Sequence, residues 1–588
     1  MPSLGRLLGY CLALTYAANE AVAAPKKLLR SRHTPGAQVT YQKPNICETT
    51  PGVKSYSGYV TLPATSLHPY TQNLFFWFFE ARKDPETAPL TVWLQGGPGA
   101  PSIDQALSEN GPCLVNEDSN STTLNPYSWN TYSNMLYIDS PVQAGFSYDE
   151  AVQGVVDMTS GDITVGGYNG SLDVVHREGT FSSQDESHTV NNTAVAAEAI
   201  YEFDQYRRDK INVWSQSYGG HYAPAVAHLF HTRSASAKKR SCGGNTTTPL
   251  NIGVESVGII NGLLDFLVMG EHLANFPNNN TYGIKSYDDA IWDSIQTNWT
   301  KPEGCKEQAE ACKALTPNGY HDQYGTNETV IGVCGGAYLA CGQNMYFAFD
   351  EQSEREYFDI TQMRPTPEAP PYAFGFLAQG WVRDALGARV NYTQTHNPTV
   401  NAFFGTGDYL IGGFTDDLGE LLDDGIKVAL IYGDRDYRCN WVGGEAASLS
   451  IEYSGQDAFA TAGYTEMSTN ETYVGGLVRQ VDNFSFTRVF QSGHSVGFYQ
   501  PETAVEIFAR TLRGLDIATG QTPLNSQTYT TSGPTSVFDV TNEFPAQREQ
   551  FCYVGAQLSV TCSDAQIAAL EDGTAVVDER GIVVSPEL

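Results

Sequence analysis

The stretch INVWSQSYGGHYAP, residues 211–224, decides the fold, because it reads as a buried strand that turns sharply into a helix. The strand-like run INVW ends in a turn of small residues around Ser217. Gly219 and Gly220 leave room for nearby backbone, as a strained elbow between a strand and a helix requires. Ser215 stands where such elbows usually have glycine. Ser217 is therefore a candidate nucleophile, although SYGG alone is equally compatible with an ordinary turn.

Strands and helices alternate on both sides of this elbow. Apolar residues recur at helical spacing in residues 192–206, and strand-like runs occupy 426–433 and 487–490. Residues 501–515 form an amphipathic helical pattern. Strand, helix and strand in this order predict an α/β fold with a central, mostly parallel sheet flanked by helices. The Gly-, Ser- and Asp-rich segment 149–190 lacks any period and predicts an exposed loop.

A nucleophilic serine needs a histidine to take its proton and a carboxylate to orient that histidine. In sheets of this type the three groups follow the chain order Ser, Asp, His. Asp436 follows the strand of IKVALIYGDRD, and His494 follows the strand of TRVFQSGH. Asp434 competes for the acidic role, and position within the motif favours Asp436. The predicted triad is therefore Ser217, Asp436 and His494.

An oxyanion hole needs two backbone N–H groups aimed at the developing negative charge. The loop WLQGGPG follows a predicted strand upstream of the elbow, and it brings Gly97 into position for one N–H group. Tyr218, directly after the candidate nucleophile, brings the other. Gly-Gly-Pro is common in turns, so the composition of this loop alone is weak evidence for an oxyanion hole. The prediction depends on the position of the loop after a strand and upstream of the elbow.

The ends and the composition of the chain point to export. Residues 1–24 combine Arg6, an apolar stretch and a small-residue cleavage site, which predicts a secretory signal peptide. No later apolar run is long enough to span a bilayer, so a soluble mature protein is expected. The net charge of -32 argues against nucleic acid or anionic membrane as partners. Sequons for N-glycosylation occur at Asn120, Asn169, Asn191, Asn245, Asn279, Asn298, Asn327, Asn391, Asn470 and Asn483.

Shifts in composition divide the chain after the signal peptide. The segment rich in Cys, Asn and Tyr between two parts of the α/β pattern predicts an inserted cap that contains disulfides. The tail is rich in Thr and Ser. The predicted parts are a basic leader or short pro-segment (25–44), a first core part (45–265), the cap (266–400), a second core part (401–520) and a C-terminal extension (521–588).

Several motifs, in order over residues 45 to 520, resemble the serine carboxypeptidase family, peptidase family S10, within the α/β-hydrolase fold. They are WLQGGPGAPS, ENGP, NMLYIDSPVQAGFSY, SQSYGGHYAP, IINGLLD, YGDRDYRCNW and GHSVGFYQP. The SYSGYV start and the cysteine-containing tail look most similar to secreted fungal members like carboxypeptidase S1. The resemblance implies an exopeptidase that removes single residues from the free carboxyl terminus of peptides and proteins, often at acidic pH. The signal-like start, the cysteines and the sequons predict a secreted or vacuolar glycoprotein.

The resemblance also implies how a substrate carboxylate is held. The family uses an Asn in the Gly-Gly-Pro loop and two glutamic acids that share a proton; the matching positions here are Gln95, Glu109 and Gln216, with Gly96 beside them. Since Gln216 cannot ionise, the hypothesis is that Gln95 and Gln216 donate amide N–H groups, so that peptide binding persists to higher pH. Ser495 and Gly497 stand where the family usually has Met and Pro. The alternative hypothesis is that these changes, together with those at positions 95 and 216, have altered the substrate.

The cysteines fit a disulfide-bonded exported protein. Cys305, Cys312, Cys334 and Cys341 have the symmetric spacing of the nested bridges in the family's insertion, Cys305 to Cys341 and Cys312 to Cys334. By resemblance Cys47 pairs with Cys113, and proximity suggests Cys552 with Cys562. Cys439 falls where some relatives keep a free thiol beside the substrate pocket, which predicts sensitivity to mercurials; the alternative is a plain bridge. Cys242, in a dibasic loop, is left unassigned.

These features predict a secreted serine-type carboxypeptidase that works through an acyl-enzyme on Ser217. Two alternatives stay open: an acyltransferase or esterase that acts on a small molecule with the same triad, and a binding protein without turnover. No cofactor is expected. No metal site is expected either, because the cysteines lack paired two-residue spacing and the histidines do not cluster along the chain.

Overall fold

The structure, a computed structural model, describes residues 27–30, 35–203, 209–241, 252–322, 325–524 and 528–584. The predicted signal peptide, Cys242 and the sequon at Asn245 lie outside these residues. Within the described chain, no helix has the length and apolar character needed to cross a bilayer.

The described strands form one large sheet and two small ones. The large sheet has twelve strands in the order β1-β2-β3-β4-β8-β5-β12-β13-β14-β17-β16-β15, and the small sheets are β10-β9-β11 and β6-β7. The strands are β1 (Lys27–Arg30), β2 (Gln38–Gln42), β3 (Ser55–Leu62), β4 (Gln72–Phe79), β5 (Leu90–Leu94), β6 (Cys113–Val115), β7 (Thr122–Leu124), β8 (Asn134–Ile138), β9 (Val152–Asp157), β10 (Ile163–Val165), β11 (His176–Phe181), β12 (Lys210–Gln216), β13 (Gly253–Ile260), β14 (Lys427–Gly433), β15 (Thr465–Ser468), β16 (Val474–Val481) and β17 (Phe484–Val489).

Helices connect and cover these strands. They are α1 (Gln105–Ser108), α2 (Thr193–Phe203), α3 (Gly219–Ser241), α4 (Phe266–Asn275), α5 (Asp289–Thr300), α6 (Cys305–Leu315), α7 (Glu328–Val330), α8 (Gly336–Cys341), α9 (Ala348–Gln352), α10 (Tyr372–Ala378), α11 (Gly380–Leu386), α12 (Asn397–Thr406), α13 (Phe414–Asp423), α14 (Trp441–Ser450), α15 (Gln456–Thr461), α16 (Val496–Tyr499), α17 (Pro501–Arg513), α18 (Leu558–Thr561) and α19 (Asp564–Glu571). Short 3-10 and π-helical turns join some of them.

The six central strands run parallel to one another; they are β8, β5, β12, β13, β14 and β17. On either side, β4 pairs antiparallel with β8 and β16 pairs antiparallel with β17. Both faces of this central part are covered, which explains why its strands are apolar almost throughout. Alternate residues of β12 show the two faces: Val213 packs in the cluster that contains Val226 of α3. Trp214 points the other way and meets the ring of Phe508 on α17 at 4.9 Å. The predicted α/β class is confirmed.

The inserted segment is helical. Helices α4 to α13 all lie between β13 and β14, the strands on which the two core parts meet. Two disulfides, Cys305–Cys341 and Cys312–Cys334, tie α6 to α8 and to the π-helical turn Ile331–Gly335. The other disulfides are Cys47–Cys113 and Cys552–Cys562. All four pairs are those that spacing, resemblance and proximity indicated.

The prediction of an exposed loop over 149–190 is wrong, because this segment forms the sheet β10-β9-β11. The segment around these strands is rich in Gly, Ser and Asp, and β10 has only three residues, which hid the strands from a search for apolar alternation. They are stabilised by the distant tail instead: Met158 and Val175 form a small buried cluster with Leu558 and Leu570. Strand pairing here depends on a partner that lies far along the chain.

Candidate active site

Ser217 occupies a tight elbow between β12 and α3. Its backbone has φ 64°, in the left-handed region that a residue with a side chain adopts only at a cost. The Ser217 N–H donates to the Ile260 carbonyl (3.0 Å), and the Ser217 carbonyl accepts from the Leu263 N–H (3.1 Å). A Cβ on Gly220 would lie 2.1 Å from the Leu263 carbonyl oxygen, so glycine is required there. The elbow predicted from sequence is present.

Ser215 fits the elbow despite the missing glycine. Its hydroxyl donates to the Gly219 carbonyl at 2.7 Å. Gly219 accommodates this hydroxyl, since a Cβ on Gly219 would lie 2.5 Å from the Ser215 Cβ. The small side chain at 215 is therefore matched by the absence of one at 219.

His494 and Asp436 form the acid–base pair. The two side chains are joined by a hydrogen bond of 2.6 Å between His494 Nδ1 and Asp436 Oδ2, and both are buried. The Asn261 side chain (2.9 Å) and the Cys439 N–H (3.3 Å) also donate to Asp436 Oδ2. This carboxylate is therefore held in place from three sides.

Asp434, the competing acid, has a structural role. It is buried and binds Arg488 at 3.3 Å and the Tyr282 hydroxyl at 2.8 Å. Its oxygens thus serve an ion pair within the core, and the structure places Asp436 rather than Asp434 against His494.

The charge of His494 is set by opposing effects. Burial disfavours the imidazolium, but the Asp436 carboxylate and its hydrogen bond outweigh burial and raise the pKa of His494 above its ordinary value. The ring of Phe358 stacks on the imidazole at 4.4 Å, and the Phe358 carbonyl accepts the His494 N–H at 3.0 Å. An imidazole so fixed leaves Nε2 as the nitrogen available to exchange a proton with a serine.

Gln216 connects the elbow to the histidine loop. Its Nε2 donates to the His494 carbonyl (3.1 Å) and to Ser495 Oγ (3.3 Å). These bonds bring the residue directly before Ser217 against the residue that carries the imidazole. They also use both amide hydrogens of Gln216, so the structure does not leave Gln216 free to donate to a substrate carboxylate, as the sequence-based hypothesis required.

The Gly-Gly-Pro loop lies against the elbow. A Cβ on Gly96 would be 2.3 Å from the Tyr218 nitrogen and 2.9 Å from the Ser217 Cβ. Gly97 follows with φ 105°, a conformation that favours glycine. The two residues predicted to form an oxyanion hole, Gly97 and Tyr218, are therefore on adjacent segments beside the candidate nucleophile.

Three buried oxygens near the elbow have no hydrogen-bond partner among the described residues: Gln95 Oε1, Glu109 Oε2 and Gln216 Oε1. Burial raises the pKa of Glu109 to about 8, while the nearby Ser495 hydroxyl acts in the opposite direction. A Cβ on Gly497 would lie 3.2 Å from the Glu109 Cβ, so glycine at 497 leaves room for this side chain. Each of these oxygens can accept a further hydrogen bond.

The sequence did not reveal two residues of the inserted segment that reach this site. Phe358 stacks on His494, as described, and the Glu368 carboxylate Oε1 accepts a hydrogen bond from the Ser495 N–H. Both lie on residues 354–368, a segment of turns and bends that is called here the strap. No motif marks Glu368, because its neighbours in RPTPEAPP have the composition of an ordinary loop.

Cys439 is a free, buried cysteine next to the acid–base pair. Its thiol, the imidazole of His494 and the carboxylate of Asp436 lie within 4.8 Å of one another. Burial raises the pKa of the Cys439 thiol well above its usual value. Of the two interpretations of Cys439, a free thiol or a disulfide bridge, the structure shows the free thiol.

The histidines do cluster in space, contrary to the expectation from their spacing. His228 and His321 meet at the buried carboxylate of Asp417, with His321 Nε2 at 2.8 Å and His228 Nδ1 at 3.5 Å from its Oδ1. The Tyr320 hydroxyl also binds Asp417, at 2.5 Å.

Comparisons with known proteins identify the family to which this chain is similar. The chain matches the family described as serine carboxypeptidase over residues 44–514. It is 41% identical to a protein of Arthroderma benhamiae named carboxypeptidase S1 homolog A, over 95% of this chain and 88% of that protein. Carboxypeptidase S1 of Penicillium janthinellum is 32% identical, over 80% of this chain and 97% of the relative.

A solved structure shows the same fold. It is that of Kex1(delta)p, a prohormone-processing carboxypeptidase from Saccharomyces cerevisiae, with a TM-score of 0.52 and 19% identity over 78% of this chain and 91% of that one. The predicted α/β-hydrolase fold is therefore confirmed.

Proposed function

We propose, since the chain belongs to the serine carboxypeptidase family, that Ser217, Asp436 and His494 are its catalytic triad. The hydrogen bond of 2.6 Å between His494 Nδ1 and Asp436 Oδ2 carries this proposal. It fixes the imidazole at the end of the sheet where the elbow presents Ser217. Asp434 is excluded from the role by its ion pair with Arg488.

The proposed reaction proceeds through an acyl-enzyme on Ser217. Ser217 Oγ attacks the carbonyl carbon of the last peptide bond while His494 Nε2 accepts the hydroxyl proton. The N–H groups of Gly97 and Tyr218 stabilise the negative charge on the carbonyl oxygen. His494 returns the proton to the leaving amine as the C–N bond breaks, which releases the C-terminal residue. Water, deprotonated by the same imidazole, hydrolyses the acyl-enzyme and restores Ser217.

The substrate carboxylate would bind beside this centre. Gln95, the backbone of Gly96 and a protonated Glu109 are the groups of the carboxylate site, and Gln216 orients the histidine loop through its two donated hydrogen bonds. Burial raises the pKa of Glu109 to about 8, which keeps it a hydrogen-bond donor at acidic and neutral pH. Ser495 and Cys439 border the same pocket.

Peptide digestion tests the function. The purified protein is incubated with peptides that carry a free carboxyl terminus, and products are followed by mass spectrometry; we expect removal of one residue at a time. Ser217→Ala abolishes this release, and an organophosphate labels the wild type but not this variant. Turnover of an ester without release of amino acids would favour the acyltransferase or esterase alternative, and absence of labelling would favour a binding protein.

Export and domain organisation belong to the same proposal. Its supports are the signal-like residues 1–24 and the exposed sequons at Asn120, Asn169, Asn279, Asn327 and Asn470. The core (45–265 and 401–520), the cap (266–400) and the tail (521–588) fit the position of α4 to α11 between β13 and β14. Helix α12 crosses the boundary at residue 400, and α13 lies in the second core part. N-terminal sequencing and glycopeptide mapping of the mature protein test this; an intact Met1 or unmodified sequons would contradict it.

A further inference from the structure

Two carboxyl groups from distant parts of the chain flank Ser495. Glu109 follows α1, and its side chain lies near Ser495 and Gln216. Glu368 belongs to the strap, and its Oε1 accepts a hydrogen bond from the Ser495 N–H. Ser495 itself follows His494 directly, so both acids lie next to the loop that carries the proposed general base.

We propose that Glu368 binds the substrate: together with Glu109 it forms a pair of protonated carboxyl groups that hydrogen-bond to the free carboxylate at the peptide's C-terminus. This inference rests on the proposed function and extends it. Glu368 takes over the role of the second acid, which the chain lacks at Gln216, but it does so from the inserted cap rather than from the elbow.

Gln216 does not offer a hydrogen-bond donor to the substrate carboxylate, so another residue has to supply it. Its two amide hydrogens are used by the His494 carbonyl and Ser495 Oγ, so the polar atom that it leaves without a partner is the acceptor Oε1. An amide oxygen repels a carboxylate, whereas a protonated carboxyl group donates to it. The orientation of the amide is itself fixed, since Oε1 in the place of Nε2 would face the lone pairs of the His494 carbonyl.

The surroundings of Glu368 keep it protonated. Burial raises the pKa of Glu368 to about 8, opposed by His494 and assisted by the charges of Glu109 and Asp436. The Arg548 guanidinium binds the Glu368 main-chain carbonyl rather than its carboxyl group. The titratable and charged groups that face Glu368 are His494, Glu109, Asp436, Cys439, Tyr499 and Arg548.

A pair of substrates isolates the proposed contact. One is a blocked dipeptide with a free C-terminal carboxylate, and the other is the same dipeptide as its C-terminal amide. For Glu368→Ala we expect kcat/KM for the free acid to fall ~10- to 100-fold, the value of one or two charge-assisted hydrogen bonds, and kcat/KM for the amide to change less than ~3-fold. An equal loss on both substrates, or no loss on either, overturns the proposal.

Glu368→Gln provides a second readout, because an amide keeps a donor but cannot ionise. The wild-type KM for the free acid is expected to rise ~10-fold or more between pH 6 and pH 9, as both acids lose their protons and repel the substrate. In Glu368→Gln this rise shrinks to ~3-fold. Identical pH profiles in wild type and variant would count against the role. This expectation reverses the sequence-based one, which considered only the amides at positions 95 and 216.

The matched control is Glu354→Gln, which changes an exposed glutamate at the start of the strap. It is expected to keep the kinetics of the wild type on both substrates at every pH. Circular dichroism of each variant checks folding. If the wild type is labelled at Ser217 but releases no C-terminal residue, the proposed function fails and the inference fails with it. If the wild type trims peptides and Glu368→Ala retains the ratio between acid and amide, the inference alone fails.

Discussion

Two aspartates of one loop, Asp434 and Asp436, do different work although both are fully buried. Asp436 binds His494, and Asp434 binds Arg488. The two aspartates have different partners because they stand at different positions after the end of β14. In the sequence, only their positions within the motif YGDRDYRCNW distinguished them. A pair of identical substitutions therefore separates catalysis from stability within one loop.

Asp436→Asn tests the catalytic side of this pair. The amide keeps the shape of the carboxylate but no longer stabilises the imidazolium or holds the required tautomer, so we expect kcat to fall ~1,000- to 10,000-fold. The melting temperature should change little. Hydrolysis of a blocked dipeptide and calorimetry measure the two quantities.

Asp434→Asn is the counterpart. It leaves Arg488 without its buried carboxylate, and we expect the free energy of unfolding to fall by about 3 kcal/mol. The kcat of the folded fraction should stay within ~3-fold of the wild type. An Asp434→Asn protein that is inactive but as stable as the wild type would show that Asp434, and not Asp436, is the acid of the triad.

Cys439 offers a chemical probe of the same centre. Because burial raises the pKa of its thiol, little thiolate exists at neutral pH and iodoacetamide should react slowly. Mercury ions bind sulfur far more strongly, so an aryl mercurial should inhibit the enzyme more than ~10-fold while Cys439→Ser resists it. Activity before and after treatment is the measurement. Cys242→Ser serves as control, and its resistance in place of Cys439→Ser would refute the prediction.

At the scale of elements, the strap is held over the site by the tail. The side chain of Gln547 donates to the Thr361 carbonyl at 2.6 Å, and the Arg548 N–H donates to the Gln362 side chain at 2.8 Å. The Arg548 guanidinium also binds the Glu368 carbonyl and the Tyr499 hydroxyl. One side chain of the tail thus joins the strap to α16, which begins two residues after His494.

Arg548→Ala should loosen this connection. We expect KM for a free-acid dipeptide to rise ~3- to 10-fold because Glu368 is no longer positioned, and kcat to stay nearly constant because the triad is untouched. Steady-state kinetics give both values. Arg580→Ala, on the same tail but paired with Asp578, is the control and should leave KM unchanged. A fall in kcat with constant KM in Arg548→Ala would contradict this role.

The elements that sequence reasoning found are those with local signals. Ser217, Asp436 and His494 each follow a strand whose apolar run and flanking turn are visible within about ten residues. Glu368 and the sheet β10-β9-β11 have no such signal, because their places depend on the tail, which contacts them from positions hundreds of residues away. Long-range contacts with polar segments leave no periodic pattern to detect.

At the scale of the whole molecule, three carboxyl groups with raised pKa values make the folded state more stable at acidic pH. Burial raises the pKa of Asp104 to about 7 and the pKa values of Glu109 and Glu368 to about 8. Unfolded carboxyl groups have a pKa near ~4, so the folded protein binds more protons than the unfolded chain between these values. Stability from these groups is complete below about pH 4 and declines as pH rises toward 8.

We therefore expect the melting temperature to be ~5 °C higher at pH 5 than at pH 8.5, and the net charge of -32 acts in the same direction through self-repulsion. Differential scanning calorimetry across pH gives the curve. The double variant Glu109→Gln, Glu368→Gln should flatten it. A melting temperature that increases from pH 5 to pH 8.5 would mean that these buried acids are charged in the native protein.

The clamp between Arg548 and the strap has a consequence for biosynthesis. Translation delivers the strap, then the histidine loop, and the clamping arginine only afterwards. A nascent chain in which residues 217, 436 and 494 have already left the ribosome therefore still lacks the contact between Arg548 and the Glu368 carbonyl. The proposed site for the substrate carboxylate is completed only when the tail has been synthesised.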